Sequence, residues 1–389
     1  MKKVIDKTIL AVLVASLLTG CAANTVPTAA PALTVEDTLA GISVREKVGQ
    51  LFIIRPDSLD LALSQENIND SKTEGSTKLT DAMKKTLEQY PVGGVAVFKK
   101  NVVDPKQLTA FIKDLQAASQ ITLFTGIDEE GGRVARLANH AEFITPQYDS
   151  AAAVGETGDS KNAKEMGASI GGYISEYGLN LDFAPDADVN TNPDNTVIGD
   201  RAFSSDPAVA ADMVAAAIEG FHSSGVMCCI KHFPGHGDTD TDTHYGCATT
   251  TKTWDEMLAC EMLPFKAGIA AGTDMVMSAH ITVPNVTSDG LPASISNEMI
   301  TDKLRGELGY DGVVITDALA MEAITDFFSS EESAVMAIQA GADILLLPEN
   351  FTNAFDAVVA AVENGTITEA RLDESVARIL TLKAKYNLM

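Results

Sequence analysis

The chain has 389 residues, of which 46% are hydrophobic and 21% charged, so it is long enough and apolar enough to bury a large core. Its 54 acidic and 28 basic residues give a formal charge of -26. Because so negative a surface repels a phosphate backbone, nucleic acid is excluded as the expected partner.

The first residues have the pattern of an export signal. Lysines at positions 2, 3 and 7 precede the apolar run Ile9–Leu18, which is too short to stay in a bilayer as a spanning helix. The small residues before Cys21 are similar to the cleavage box of bacterial lipoproteins. We therefore predict a signal peptide over residues 1–20 and lipidation of Cys21, with an ordinary export signal as the alternative. The Ala-, Pro- and Thr-rich residues 21–35 are then a flexible tether, and the domain is extracytoplasmic and anchored to a membrane.

From residue 50 onward, short apolar runs alternate with stretches of helical spacing, such as those that start at Pro105, Asp206 and Thr253. Runs that are apolar throughout are typical of strands buried on both faces of a parallel sheet. Eight such units predict an α/β fold, a TIM-type (β/α)8 barrel that fills residues 36–389 as a single domain and leaves no room for a second one. A doubly wound sheet would need a Gly-rich first turn that is missing. The runs are 51–55, 92–99, 122–128, 179–186, 226–232, 274–281, 312–318 and 342–348.

Polar residues cluster where these runs end. The carboxyl ends of barrel strands converge on one rim, and barrel enzymes carry their active sites there. We therefore expect residues that are distant in sequence to surround a single pocket. The residues at the run ends are Asp128, Glu129, Asp186, Asp188, Lys231, His232, His280 and Asp317.

The densest group is KHFPGHGDTDTDTH, from Lys231 to His244, which holds three of the six histidines. Its spacing fits no metal-ligand pattern and Lys231 would repel a cation, so we expect no metal and no cofactor. A serine hydrolase needs its serine on a strained strand-to-helix elbow, and we identify none in the sequence. Cleavage of a glycosidic bond remains, since it needs a carboxylate and a proton donor on opposite sides of the bond.

Two positions suit these roles. Asp317 ends the buried run VVITDALAM and is the candidate nucleophile, with a helix N-cap as the alternative. His244 is the candidate proton donor, because Asp242 would orient its imidazole and favour the charged form. The alternative for His244 is a histidine exposed on a loop. The glycines between Lys231 and Asp242 would let this pair move over a bound substrate.

The loop KHFPGHGDTDTDTH resembles the signature of the β-N-acetylhexosaminidases in glycoside hydrolase family three. The segments GIDEEGGRVARL (126–137), LDFAPDADVNTNPDNTVIGDRAFSSDP (181–207) and GYDGVVITDALAM (309–321) resemble the family's other blocks, in the same order. The resemblance covers residues 36–389. It implies removal of a terminal N-acetylglucosamine, with retention, through a covalent glycosyl-enzyme and without a metal. Residues 245–248, Tyr-Gly-Cys-Ala, depart from the family pattern.

By position, the resemblance assigns the nucleophile to Asp317, the acid/base to His244 and its dyad partner to Asp242. Asp128 would accept from two sugar hydroxyls, and His232 and the cations would donate to others. Arg133 is expected in a salt bridge under the loop, His236 as a brace and His280 behind the site. The implied sugar-binding residues are Asp128, Arg136, Arg201, Lys231 and His232.

Cell-wall fragments or other glycans ending in N-acetylglucosamine are the expected substrates, and the protein is expected to be a monomer. Two other readings stay open. A histidine acid/base does not repel phosphate as a carboxylate does, so phosphorolysis is possible beside hydrolysis. A sugar-binding lipoprotein without catalysis would usually have two lobes, and the sequence does not divide into similar halves.

Overall fold

The computed structural model describes residues 34–239 and 248–389. Eight short strands form its centre, and each overlaps one of the eight predicted runs. The barrel prediction is therefore confirmed. The strands are β1 (Phe52–Ile54), β2 (Gly94–Val97), β3 (Phe124–Ile127), β4 (Leu181–Asp182), β5 (Met227–Phe233), β6 (Met275–Ser278), β7 (Val313–Thr316) and β8 (Leu345–Leu346).

The eight strands form one parallel sheet in the order β7-β6-β5-β4-β3-β2-β1-β8. A parallel bridge between Ile315 and Ile344 joins its two edges and closes the barrel. Thr316 N–H donates to the Ile344 carbonyl oxygen across this junction, at 3.0 Å. All strand residues are buried, as expected of a sheet with side chains inside and helices outside.

Helices follow the strands and cover the outside of the barrel. The predicted stretch from Pro105 is a helix capped by Asp104, and the stretch from Asp206 is a helix capped by Asp206 itself. A π-helix spans Glu298–Glu307. The α-helices are α1 (Val35–Gly41), α2 (Val44–Gln50), α3 (Gln65–Asn69), α4 (Asp81–Gln89), α5 (Pro105–Ala118), α6 (Ala151–Gly155), α7 (Ser160–Glu176), α8 (Pro207–Ser223), α9 (Trp254–Ala259), α10 (Met262–Ala270), α11 (Glu322–Thr325), α12 (Ser330–Ala340), α13 (Phe351–Glu363) and α14 (Glu369–Lys385).

The stretch from Thr253 differs from a single regular helix, because it forms α9 and α10 with a break at Cys260. Pro264 lies four residues after Cys260. Its ring would clash with the Cys260 carbonyl in a continuous helix, and it has no N–H to donate to that oxygen. The chain accommodates Pro264 in the first turn of α10, where a proline is tolerated.

Several predictions fall on residues outside the described ranges: the signal peptide, lipidation of Cys21, the tether up to residue 33, and the roles of Asp242 and His244. Thr34 caps α1, the first helix of the described residues, and the predicted domain boundaries stay predictions. Cys228 and Cys229 are buried free thiols, and Cys260 is also a free thiol. Over residues 34–239 and 248–389, no helix is both long and apolar enough to cross a membrane.

Candidate active site

A cavity of about 430 Å³ lies at the carboxyl ends of the barrel strands. Asp128 follows β3, Lys231 and His232 belong to β5, and Asp317 follows β7. Half of the run-end residues predicted to surround one pocket line this cavity, and their chemical roles stay predictions. The run-end residues outside its lining are Glu129, Asp186, Asp188 and His280. The predicted residues that line the cavity are Asp128, Arg136, Arg201, Lys231, His232 and Asp317.

Lys231 is the centre of the charge network in this cavity. Its Nζ lies 3.0 Å from Asp128 Oδ1 and 2.5 Å from Glu130 Oε1, and Arg136 Nη2 lies 3.0 Å from Asp128 Oδ2. Burial opposes the ionisation of Asp128, but Lys231 and Arg136 outweigh it and hold the pKa of this carboxyl well below its usual range. Burial likewise opposes the charge on Lys231, but Asp128 and Glu130 raise its pKa above the ordinary value. The pocket therefore presents fixed charges at neutral pH.

Glu130 is a member of the site that the sequence analysis missed. Arg201 grips its carboxylate with two bonds, from Nε to Oε2 and from Nη2 to Oε1, both at 2.8 Å. Burial raises the pKa of Glu130, but Arg201 and then Lys231 lower it further, to about 2. The signal was present in the sequence, because Glu130 is two positions after Asp128, and side chains two positions apart in extended backbone share one face; Glu130 lies in the short strand Glu129–Gly131.

Glu129 points the opposite way and organises the loop that carries Arg136. Its Oε2 accepts from the backbone N–H groups of Arg136 and Leu137, at 2.6 and 2.9 Å. Its Oε1 accepts from Ala138 N–H and from the Tyr173 hydroxyl, both at 2.8 Å. Four bonds to one buried carboxylate fix the backbone of this loop, and with it the approach of Arg136 to Asp128.

His232 has a different hydrogen-bonding role from the predicted one. Its Nδ1 lies 2.7 Å from Asp188 Oδ2, and its Nε2 lies 3.2 Å from Arg201 Nη2. Burial, and then the charge of Arg201, lower the pKa of His232 to about 4, so the ring is neutral at pH 7. Because Arg201 can only donate, Nε2 accepts and the proton is on Nδ1, where it is donated to Asp188. In this arrangement Nε2 has no proton to donate to a sugar hydroxyl, which differs from the predicted donor role, and a contact of His232 with the sugar stays a prediction.

Two groups of described residues have the side chains of a metal site, and a cationic side chain of the protein lies near a carboxylate in each. In the group Asp186, Asp188 and His232, Arg201 Nε lies 3.7 Å from Asp186 Oδ2. In the group His222, Cys228 and Asp274, Lys385 Nζ lies 2.7 Å from Asp274 Oδ1 and the Tyr386 hydroxyl donates to Oδ2 at 2.8 Å. Because a protein cation lies beside a carboxylate in each group, we assign neither group a metal. The absence of a cofactor stays a prediction.

Asp317 lies in the irregular segment between β7 and α11. Its backbone N–H donates to the Ser278 carbonyl at 2.8 Å, and its Oδ1 accepts from Ala318 N–H at 2.7 Å. The helix N-cap alternative is wrong, since α11 begins at Glu322 and its N-cap residue is Met321. Asp317 is half-buried and lines the cavity, as a nucleophile must.

The two described ends of the signature loop are joined by a charge cluster. Asp238 Oδ1 lies 3.0 Å from Lys252 Nζ, and Asp238 Oδ2 accepts from the Thr250 hydroxyl at 3.0 Å. Lys252 also contacts the carboxylate of Glu261, the residue at the break between α9 and α10. The loop residues before and after positions 240–247 are therefore held close together.

The glycines in this loop have steric reasons to be glycine. Gly235 has φ = +117°, a conformation that other residues rarely adopt. A Cβ on Gly237 would lie 2.0 Å from the Val189 carbonyl oxygen. Freedom of movement is therefore not needed to explain either residue. Proline at position 235 would disturb the fold, because proline cannot reach that φ.

The segments after β1 and β2, including the end of α3, supply further lining residues that were not predicted from the sequence: Arg55, Asn69 and Phe98. The Arg55 guanidinium carbon lies 4.4 Å from the centroid of the Phe98 ring.

Predictions for the surroundings of the pocket are confirmed at two positions. Arg133 Nε lies 2.9 Å from Asp200 Oδ1, and His236 Nδ1 lies 2.6 Å from the Thr239 hydroxyl within the loop.

The chain is similar in sequence and in structure to glycoside hydrolases. The profile described as Glycosyl hydrolase family 3 N terminal domain matches residues 43–382. Beta-hexosaminidase A of Pseudoalteromonas piscicida is 36% identical over 335 residues, which are 79% of this chain and 56% of that protein. A glycoside hydrolase family 3 β-N-acetylglucosaminidase from Paenibacillus sp. str. FPU-7 has a TM-score of 0.81 and 37% identity, covering 89% of this chain and 63% of that one. The beta-glucoside phosphorylase BglX has a TM-score of 0.78 and 30% identity, covering 91% and 60%. The chain spans less than two thirds of each of these three proteins.

Proposed function

The chain belongs to glycosyl hydrolase family 3, and from this we propose that it is a retaining exo-β-N-acetylglucosaminidase. The observation that carries the proposal is the position of Asp317 in the same cavity as a network of ionised side chains suited to sugar hydroxyls. The names of the relatives from Pseudoalteromonas and Paenibacillus support the choice of an N-acetylhexosamine over other sugars.

Recognition of the sugar would use the paired charges. Asp128 accepts from Lys231 and Arg136, and each carboxylate oxygen has a further lone pair for a hydroxyl. Lys231 and the arginines have donors for the sugar oxygens. Hydrogen bonds to ionised groups are about twice as strong as neutral ones, so these residues would hold the terminal sugar in one orientation.

In the proposed reaction, the Asp317 carboxylate attacks the anomeric carbon and forms a glycosyl ester as the aglycone departs. His244, oriented by Asp242, protonates the departing oxygen. The same histidine then takes a proton from water, which attacks the anomeric carbon and releases the sugar with retained configuration.

The experiment compares two aryl β-N-acetylglucosaminides, one with a dinitrophenyl leaving group and one with a poorer phenol. Asp317→Asn should lose nearly all activity on both. His244→Ala should keep much of its first step on the dinitrophenyl substrate, because a good leaving group needs little protonation. The exposed Asp326 provides a control, and Asp326→Asn should behave as the wild type. Retention of activity in Asp317→Asn would reject the assignment.

Phosphorolysis is a second candidate, favoured by the similarity to BglX. The same assay with inorganic phosphate decides it. Accumulation of N-acetylglucosamine 1-phosphate in place of the free sugar would replace the hydrolase proposal. If the protein binds the sugar but forms no product with either water or phosphate, a sugar-binding protein without catalysis would be favoured.

We also propose that the protein acts outside the cytoplasm as a lipoprotein on cell-wall fragments. The support is the sequence pattern before Cys21. Mass spectrometry of the N-terminal peptide should detect a lipidated Cys21, and Cys21→Ser should release the protein from the membrane fraction. A wild-type protein without lipid at Cys21 would contradict this part alone.

A further inference from the structure

We propose that His280 is a positioning residue for the nucleophile, and that it acts by fixing the backbone beside Asp317. This inference rests on the function proposed above. His280 is completely buried two residues after β6, the strand next to β7 in the barrel. Because strand β7 leads into Asp317, the two residues emerge side by side from neighbouring strands.

Both ring nitrogens of His280 are engaged. Its Nε2 lies 2.9 Å from the Ala318 carbonyl oxygen, and its Nδ1 lies 2.7 Å from the Ser294 hydroxyl oxygen. A carbonyl oxygen can only accept, so Nε2 carries the proton that is donated to Ala318. In the tautomer with one proton, Nδ1 accepts from the Ser294 hydroxyl, which holds the ring in this orientation.

The bond to Ala318 completes a set of anchors around the nucleophile. Asp317 N–H donates to the Ser278 carbonyl at 2.8 Å, and Leu319 N–H donates to the Leu346 carbonyl at 2.9 Å. Ala318 N–H donates to the Asp317 carboxylate itself, at 2.7 Å. Ala318, whose N–H orients the Asp317 carboxylate, thus also accepts a hydrogen bond from His280 at its carbonyl oxygen.

Helical hydrogen bonds do not hold this segment, since α11 begins only at Glu322. The Ala318–Leu319 peptide has three anchors, because the Ala318 carbonyl oxygen accepts from His280 and, at 3.0 Å, from Met321 N–H, and Leu319 N–H donates to Leu346. Loss of the His280 bond would remove the one anchor that comes from the side of β6, and the N–H that orients the Asp317 carboxylate would shift with Ala318. A displacement of about 1 Å in a reacting group can lower a rate about 100-fold. His280 should therefore affect the rate of attack more than the binding of the sugar.

The test uses the dinitrophenyl substrate in pre-steady-state assays. The burst rate of dinitrophenol release reports attack by Asp317, and the substrate concentration at half-maximal burst rate reports binding. His280→Leu keeps the side chain's bulk but removes the donor. We expect a burst rate lower by about 100-fold and a half-saturating concentration within about threefold of the wild type. His280→Gln, which places an N–H near the position of Nε2, should recover at least about tenfold of this loss.

This substrate separates the proposal from an effect on the proton donor. If His280 acted through His244, the loss in His280→Leu would disappear with a leaving group that needs no protonation, and that result would overturn the proposal. An unchanged burst rate with weaker binding would also overturn it. A wild-type protein that is inactive on both aryl substrates rejects the proposed function instead.

Two further variants keep the test decisive if His280→Leu does not fold. Ser294→Ala removes the hydroxyl that orients the ring, and we expect a burst rate lower by about fivefold with unchanged half-saturation, equivalent to one hydrogen bond. An unchanged rate in Ser294→Ala would contradict the proposal. His222→Gln, at the other end of the barrel, is the control for altering a hydrogen bond of a half-buried histidine, and it should leave both quantities unchanged.

Discussion

Lys231 and Lys383 are both buried lysines, but they lie at opposite ends of the barrel and in opposite electrostatic environments. Lys231 Nζ contacts two carboxylates, whereas Lys383 Nζ contacts the Gln50 amide oxygen at 2.7 Å and the Gly93 carbonyl at 3.0 Å. The pKa of Lys231 is above its ordinary value because Asp128 and Glu130 outweigh burial. Burial lowers the pKa of Lys383 to about 7. Charge pairing, and not burial alone, decides whether such a lysine stays ionised.

The carboxylates at the two ends are both paired with cations, and they differ in whether they face the cavity. Asp343, just before β8, is completely buried, and its oxygens are shared by Arg305 at 2.6 Å, Arg378 at 3.1 Å and the Ser375 hydroxyl at 2.6 Å. Asp128 has its cations too, but it also faces the cavity. We infer that charges at the amino end of the strands hold the barrel together, and that charges at the carboxyl end are arranged for a ligand.

The sharpest test of this division is to replace each lysine by methionine. Lys231→Met leaves Asp128 and Glu130 without a shared cation, and a buried charge that loses its partner costs about 3–5 kcal/mol. We expect kcat/KM on the aryl N-acetylglucosaminide to fall about 1000-fold, equivalent to about 4 kcal/mol. Lys383→Met should stay within about threefold of the wild type, because distant sites act independently. Equal losses of kcat/KM in the two variants would contradict the inference that only the charges at the carboxyl end are arranged for a ligand.

Asp343→Asn tests the opposite end. Removing this carboxylate leaves the surrounding arginines without their buried counter-charge, so the free energy of unfolding should fall by about 3–5 kcal/mol in urea titrations. The kcat/KM of the folded fraction should change little. Asp356 is the control, since it forms an exposed pair with Arg45 at 3.1 Å, and Asp356→Asn should cost about 1 kcal/mol or less. A large loss of kcat/KM in folded Asp343→Asn would place function at this end as well.

The difference between the two ends also explains what could be predicted from the sequence. The strands were predictable because residues buried on both faces are apolar throughout, and the convergence of Asp128, Lys231 and Asp317 followed from barrel geometry. Glu130 could have been found from the two-residue period of its strand. The break at Cys260 was predictable in principle from Pro264.

Other features depend on contacts that no local pattern encodes. Arg55 and Phe98 reach the cavity from loops whose course is set by packing. The neutral state of His232 follows from its burial and from Arg201, which is 31 positions away in the chain. The ion pairs of Asp343 require arginines that are distant in sequence and come together only when the barrel closes.

Lys383 predicts a pH dependence of stability. Its pKa is 10.5 in an ordinary environment and about 7 in the folded protein, so between these values the unfolded chain binds more protons. The wild type should therefore lose stability as the pH falls through this window, by about 3 kcal/mol between pH 9 and pH 6 from this group. Lys383→Met should lack this component, and exposed Lys266 provides the control variant Lys266→Met. If the free energies of unfolding of the wild type and Lys383→Met changed with pH in parallel, the pKa of the Lys383 amine would not be lowered in the folded protein.

The smallest effects should come from two tyrosines that make the same bond at opposite ends. The Tyr173 hydroxyl donates to Glu129 Oε1 and the Tyr386 hydroxyl donates to Asp274 Oδ2, both at 2.8 Å. Tyr173→Phe and Tyr386→Phe each remove one hydrogen bond to a carboxylate, and each should lower the free energy of unfolding by about 1–2 kcal/mol.

Their kinetics should differ, because Glu129 also fixes the loop that carries Arg136. Tyr173→Phe should lower kcat/KM by about threefold to tenfold, equivalent to about 1 kcal/mol in binding the transition state. Tyr386→Phe should leave kcat/KM unchanged while losing the same stability. Because the two changes are chemically identical and both side chains contact carboxylates, equal kinetic losses would show that the barrel transmits strain from either end, and that the division of roles between its ends is not real.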